Sequence, residues 1–154
     1  IEGVDKRIDV IATAMRGGIT APELADLELA YAPPFGSAKD PVNMLGYMAE
    51  NVLSGVSKVA QWHQIDEYRE NGYELLDVRS EAECGRGIIP GAINIPVDEI
   101  RDRFKELNNK NLLVNCQVGL RGHTGSMLLK ELGFNAVNLD GGYLTWINSP
   151  SATK

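Results

Sequence analysis

Cysteine is scarce, with Cys84 and Cys116 alone in 154 residues. Two cysteines are too few for a disulfide scaffold, and neither stands in a CxxC or Cys/His spacing that holds zinc. His63 and His123 are the two histidines, and no metal site is expected from them. No stretch of 18 consecutive apolar residues occurs, and the start lacks the charged-then-apolar layout of a signal peptide, so neither membrane spanning nor export is supported. The chain reads as cytoplasmic. Positive charge is the minority, 15 Lys and Arg against 21 Asp and Glu for a net charge of −6, which argues against a nucleic acid or an anionic membrane as partner. Small molecules and proteins remain. Aromatic residues make up only 6% of the chain, yet 44% is hydrophobic, enough for one compact domain and a further fragment.

The chain begins without Met and reads as cut from a longer protein. Residues 1–12 show mixed alternation and count as a strand. Thr20-Ala21-Pro22-Glu23 has the form of a capping box with Pro in the first turn, which predicts a short helix to about Leu29. Tyr31-Ala32-Pro33-Pro34-Phe35-Gly36 predicts an extended loop, because each proline drives the residue before it out of the helical region. Asp40-Pro41 opens a second helix with Val42, Leu45, Met48, Ala49, Val52 and Leu53 on one face, ending near Gly55. A strand and two helices do not bury a core, so residues 1–56 need a partner chain or flanking sequence.

From Ser57 the pattern changes. Short apolar strands at Glu74–Val78, Asn94–Ile95, Leu112–Asn115 and Ala136–Leu139 alternate with helical stretches near 62–70, 97–106, 120–132 and 142–148. This predicts an α/β domain with a mostly parallel sheet. Functional groups in such sheets collect beyond the carboxyl ends of the strands, where Asp77, Arg79, Cys116 and Asp140-Gly141-Gly142 stand.

Leu112 to His123 reads as strand, tight loop, helix, with Cys116 leaving the strand and the helix starting near Leu120. Amide groups curled over a helix N-terminus stabilise an anion, so a thiolate at Cys116 with a lowered pKa is expected. Gly119 lets the loop turn, and Arg121 adds charge. Taken alone, Cys116 reads equally well as a buried strand-end cysteine.

The segment Cys116-Gln117-Val118-Gly119-Leu120-Arg121 resembles the Cys-x-x-Gly-x-Arg active-site signature of single-domain rhodaneses. Leu76-Asp77-Val78-Arg79, residues Ile89 to Pro96 and residues Leu139 to Trp146 resemble the other motifs of that family, in order and over nearly all of residues 57–148. The resemblance implies a rhodanese-like sheet flanked by helices over residues 57–150. It also implies a sulfurtransferase in which Cys116 takes the outer sulfur of a donor, holds it as a persulfide and releases it to a thiol acceptor. Arg121 would position an anionic donor or acceptor, and Gln117, Val118, Gly119 and Leu120 would line the substrate loop. A phosphatase of similar fold needs five residues between Cys and Arg to wrap a phosphate, and four stand here.

Asp77 and Arg79 read as a structural brace, Asp140-Gly141-Gly142 as a turn and helix start, and His123 as an ordinary first-turn residue. Cys84 and Ile88 replace an aromatic residue and a histidine of the family pattern. Cys84 is either a small hydrophobe or a resolving thiol for Cys116, the latter making the domain a redox sensor. Gln117 and Val118 are neutral where thiosulfate-selective loops carry basic residues. An idle rhodanese-like docking or dimerisation module is the alternative reading.

Residues 3–14 and 29–44 resemble the end of the dimerisation domain of flavin-dependent pyridine nucleotide-disulfide oxidoreductases, coenzyme A-disulfide reductase above all. That makes residues 1–56 a partial α+β dimerisation-domain fragment. The parent enzyme implied is a homodimer that reduces coenzyme A disulfide, persulfide or polysulfide with FAD and NAD(P)H. Its flavin and nicotinamide domains lie outside this sequence, so no cofactor is expected in this fragment. In that family the Tyr of the Tyr-Ala-Pro-Pro-Phe loop reaches the partner's active site. Tyr31 is therefore a candidate catalytic residue, with packing in the dimer interface as the equal alternative.

Overall fold

The computed structural model describes residues 3–30 and 39–153. Two units meet in sequence between Val56 and Ser57.

The first unit holds helices α1 (Val4–Gly17) and α2 (Pro41–Leu53), with a 3₁₀ turn at Pro22–Asp26 between them. Where a strand was expected in residues 1–12, α1 runs from Val4 onward, and residues 1 and 2 lie outside the described residues. Val10, Ile11 and Ala14 recur at helical spacing and pack with Leu24 and Val42, which a strand's alternation would have divided between two faces. The Glu23 carboxylate accepts from the backbone N–H and hydroxyl of Thr20, at 2.7 and 2.6 Å. The helix expected to run to Leu29 stops at Asp26, with Leu27 extended. Asp40 caps α2 through the Val42 N–H at 2.9 Å. The Asn43 amide binds the Leu24 and Leu27 carbonyls at 3.0 and 2.9 Å, tying α2 to the 3₁₀ turn.

The second unit is a five-stranded parallel sheet in the order β1-β5-β4-β2-β3. Its strands are β1 (Val59–Ala60), β2 (Glu74–Asp77), β3 (Ile93–Asn94), β4 (Asn111–Asn115) and β5 (Asn135–Leu139). Between and after them run α3 (Ile65–Glu70), α4 (Glu81–Cys84), α5 (Ile100–Arg103), α6 (Leu120–Glu131) and α7 (Gly142–Ile147). A parallel sheet needs crossovers that cover its faces, and both faces here are buried. Leu76, Leu112, Val114 and Ala136 pack with Ile100 and Leu129 on one side. Leu75, Leu113, Val137 and Leu139 pack with Ile65 and Trp146 on the other. Strand alternation thus divides each apolar run between the two layers.

The register aligns the strand ends. Asp77 pairs with Asn115 of β4 and with Asn94 of β3, so three polar side chains stand in one row at the carboxyl edge, beside the point where Cys116 leaves the central strand.

Candidate active site

Cys116 follows β4, and α6 begins four residues later. So short a link forces a tight turn, which Gly119 supplies with φ +109° at the N-cap of α6. The turn aims the Gly119 N–H at Cys116 Sγ, 3.1 Å away. The thiol is buried, at 1% exposure, among the residues that pack under α6. Val118 and Leu120 flank it on the surface at 59% and 73% exposure.

The loop is held from below and from the side. Tyr143 N–H donates to the Cys116 carbonyl at 2.7 Å, and Leu144 N–H to that of Gln117 at 3.0 Å. These bonds draw the start of α7 against the loop. A Cβ on Gly142, whose φ is +56°, would lie 2.3 Å from the Cys116 carbonyl oxygen. A Cβ on Gly122 would lie 2.3 Å from Asn138 Oδ1, so α6 approaches β5 closely because that position has no side chain.

Asp77 and Arg79 form a buried ion pair with exposures of 0% and 2%. Arg79 Nη2 lies 2.7 Å from Asp77 Oδ2, and Nε donates to both carboxylate oxygens. The guanidinium also reaches the Gly87 carbonyl at 2.8 Å and Gln117 Oε1 at 3.3 Å. Asn115 Nδ2 donates to Asp77 Oδ2 at 2.9 Å. Burial acts to lower the Arg79 pKa, and the hydrogen bonds and charge of Asp77 outweigh it and raise it. The brace read from the sequence is present and extends to a residue of the cysteine loop.

Arg121 has a partner that the sequence reading missed. Its Nη1 and Nη2 donate to Glu83 Oε2 and Oε1 at 2.8 and 2.6 Å, a two-pronged fork. The guanidinium beside it, above all, holds the Glu83 carboxyl down at about 2. Glu83 also accepts from Ser80 N–H and Oγ at 3.0 Å, closing a capping box that starts α4. Ser80-x-x-Glu83 was the available signal for that helix.

Both cysteines are free thiols. Burial first, then the negative charge of Asp77, pushes the Cys84 thiol up to about 11. His123 Nδ1 lies 3.2 Å from Ser57 Oγ, in the first turn of α6. Among the described residues no group of His, Cys, Asp and Glu is placed to hold a metal, and no helix is long and apolar enough to cross a membrane. Tyr31 and its Pro-Pro loop lie outside the described residues.

The rhodanese-like domain model matches residues 61–149. The chain belongs to the rhodanese-like family. Beyond the rhodanese domain, the chain is similar to the crystal structure of reduced Bacillus anthracis CoADR-RHD, with 49% identity and a TM-score of 0.89 over 95% of this chain and 26% of that one. It also resembles a NAD-dependent persulfide reductase from A. fulgidus, with 40% identity and a TM-score of 0.80 over 93% of this chain and 26% of that one. A human single-domain sulfurtransferase, 30% identical with a TM-score of 0.55, is matched over 99% of its length by 62% of this chain. Coenzyme A disulfide reductase of Staphylococcus aureus is 55% identical over 49 residues, which are 32% of this chain and 11% of that protein. The chain thus spans about a quarter or less of its reductase relatives. Its rhodanese domain is homologous to those of such reductases and to sulfurtransferases.

Proposed function

We propose that the rhodanese domain carries sulfane sulfur as a persulfide on Cys116 and passes it to a thiol, coenzyme A being the acceptor that the relatives suggest. The observation that carries this reading is the Gly119 N–H aimed at Cys116 Sγ from the start of α6. An amide donor and the positive end of a twelve-residue helix favour an anionic sulfur, both before and after it gains a second sulfur atom. The thiolate attacks the outer sulfur of the donor. The donor's sulfur–sulfur bond breaks, its electron pair leaves on the inner sulfur, and Cys116 keeps the outer atom.

The parent in this proposal is a cytoplasmic, homodimeric reductase of coenzyme A disulfide, persulfide or polysulfide that uses FAD and NAD(P)H in domains outside this chain. Exposed Ile8 and Met15 on α1, with Met48 and Leu53 on α2, support a partner surface on the first unit. Tyr31 belongs to the reductase half of the proposal.

A catalytically idle docking domain is the second reading, and the burial of Cys116 favours it. Exposure of the reduced chain to polysulfide, thiosulfate and coenzyme A persulfide, followed by intact mass, separates the two. The expected result is one added sulfur from polysulfide or coenzyme A persulfide that is absent in Cys116→Ser. No adduct from any donor overturns sulfur carriage.

A further inference from the structure

The cysteine loop has two arginines close by, and each is engaged by a carboxylate. Arg79 is buried in its pair with Asp77. Arg121, second residue of α6, is held at both terminal nitrogens by Glu83. The side chains left at the loop surface are uncharged, since Val118 and Leu120 are exposed and apolar and Gln117 is turned to Arg79.

We infer that Glu83 determines which charge class of sulfur donor the loop accepts, by pairing with the Arg121 guanidinium and offsetting its positive charge beside the loop. This rests on the reading of Cys116 as the sulfur carrier. Glu83 acts through Arg121 and is a positioning residue.

The charge arithmetic explains the selectivity. Attack of the Cys116 thiolate on thiosulfate gathers three formal negative charges. The S–S bond breaks, sulfite leaves with the electron pair as a dianion, and Cys116 is left as the persulfide anion. Attack on an organic persulfide anion gathers two, and the thiolate of the donor leaves. No oxidant or reductant is needed in either case, because the sulfane atom moves at constant oxidation state. A free guanidinium near the loop would offset one negative charge and help the thiosulfate reaction more. With Arg121 neutralised, the loop favours donors that bring less negative charge to the reacting sulfur and carry an organic tail beside it, for which Val118 and Leu120 provide apolar contact.

The test is Glu83→Gln, which removes the charge and keeps a residue able to serve the capping box that Glu83 makes with Ser80. Thiosulfate and the persulfide of 2-mercaptoethanol, whose organic tail is uncharged, are compared as donors for the whole chain. The ratio of kcat/KM for thiosulfate to that for this persulfide is expected to rise about fivefold in Glu83→Gln. It should return toward the starting ratio in Glu83→Gln/Arg121→Gln. An unchanged ratio, or a rise that survives loss of Arg121, overturns the inference.

A second measurement avoids sulfur transfer altogether. Cys116 is alkylated with anionic iodoacetate and with neutral iodoacetamide, and the modified peptide is quantified by mass. Glu83→Gln should raise the iodoacetate-to-iodoacetamide rate ratio, and no change in that ratio also overturns the role of Glu83. If the parent chain gains sulfur on Cys116 while both ratios stay fixed, only the Glu83 inference fails. If no donor loads Cys116, sulfur carriage fails and the donor preference falls with it.

Discussion

The Arg79 guanidinium carbon lies 4.0 Å from the centre of the Tyr143 ring, and the backbone N–H of the same tyrosine donates to the Cys116 carbonyl. One buried cation is therefore stacked on the residue that holds the cysteine loop from the side of α7. Its Nη1 binds Gln117 within the loop, and its carboxylate partner Asp77 binds Asn115, the residue before Cys116. The loop is clamped through three routes that meet at a single ion pair. A cation stacked on an aromatic face away from water gains more than it would at the surface.

Arg79→Met leaves Asp77 charged, buried and without its partner, and should lower stability by about 3–5 kcal/mol. The double variant Asp77→Asn/Arg79→Met should recover much of that loss. Urea unfolding of the single and double variants checks this, and equal losses in both would show that the pair is not what the site depends on.

Gly142→Ala meets both a left-handed backbone and the Cys116 carbonyl oxygen. We expect a loss of about 2 kcal/mol or more, together with a changed alkylation rate at Cys116, because the new methyl group has to push the loop. Thermal unfolding and peptide mass after iodoacetamide give the two readouts.

Stability at low pH should depend on Glu83. Its carboxyl titrates at about 2 in the folded chain against an ordinary 4.5, so its contribution is full above 4.5 and is lost as pH falls toward 2. Melting midpoints measured across that window should fall less steeply in Glu83→Gln than in the parent chain.

Cys84 should be a slow thiol. Pushed up to about 11 from an ordinary 9.0, it stays protonated near neutral pH and should react with iodoacetamide at least about tenfold more slowly than a free thiol. The linkage runs the other way from that of Glu83. The unfolded thiol ionises first, so stability falls as pH rises from 9.0 toward 11, and Cys84→Ala should flatten that slope. A Cys84–Cys116 disulfide appearing under mild oxidation would count against the slow thiol and for a resolving role.

Local chemistry made much of this chain legible. Short runs of consecutive apolar residues in β2, β4 and β5 announce strands because both faces of the sheet are buried. Cys116, Gly119 and the start of α6 lie within a few residues of one another, so their arrangement follows from the turn that the glycine allows. The two-residue strand β1 was not legible, since Val59-Ala60 is too short to show a period. Residues 4–12 were misread because a few apolar residues fit both alternation and helical spacing until Val10, Ile11 and Ala14 find Leu24 and Val42.

What the sequence by itself determined is the family, the order of four of the five strands and four of the five α-helices in residues 57–150, with β1 and α4 missed, and Cys116 as the reactive candidate at a strand end. Only the tertiary structure decided which charges face one another. Glu83 and Arg121 are 38 positions apart, and Gly122 meets Asn138 across a packed helix and strand. Such pairs depend on how the crossovers lay α4, α6 and α7 over one edge of the sheet. Coulomb and contact energies follow distance in space, and spacing along a chain does not report that distance.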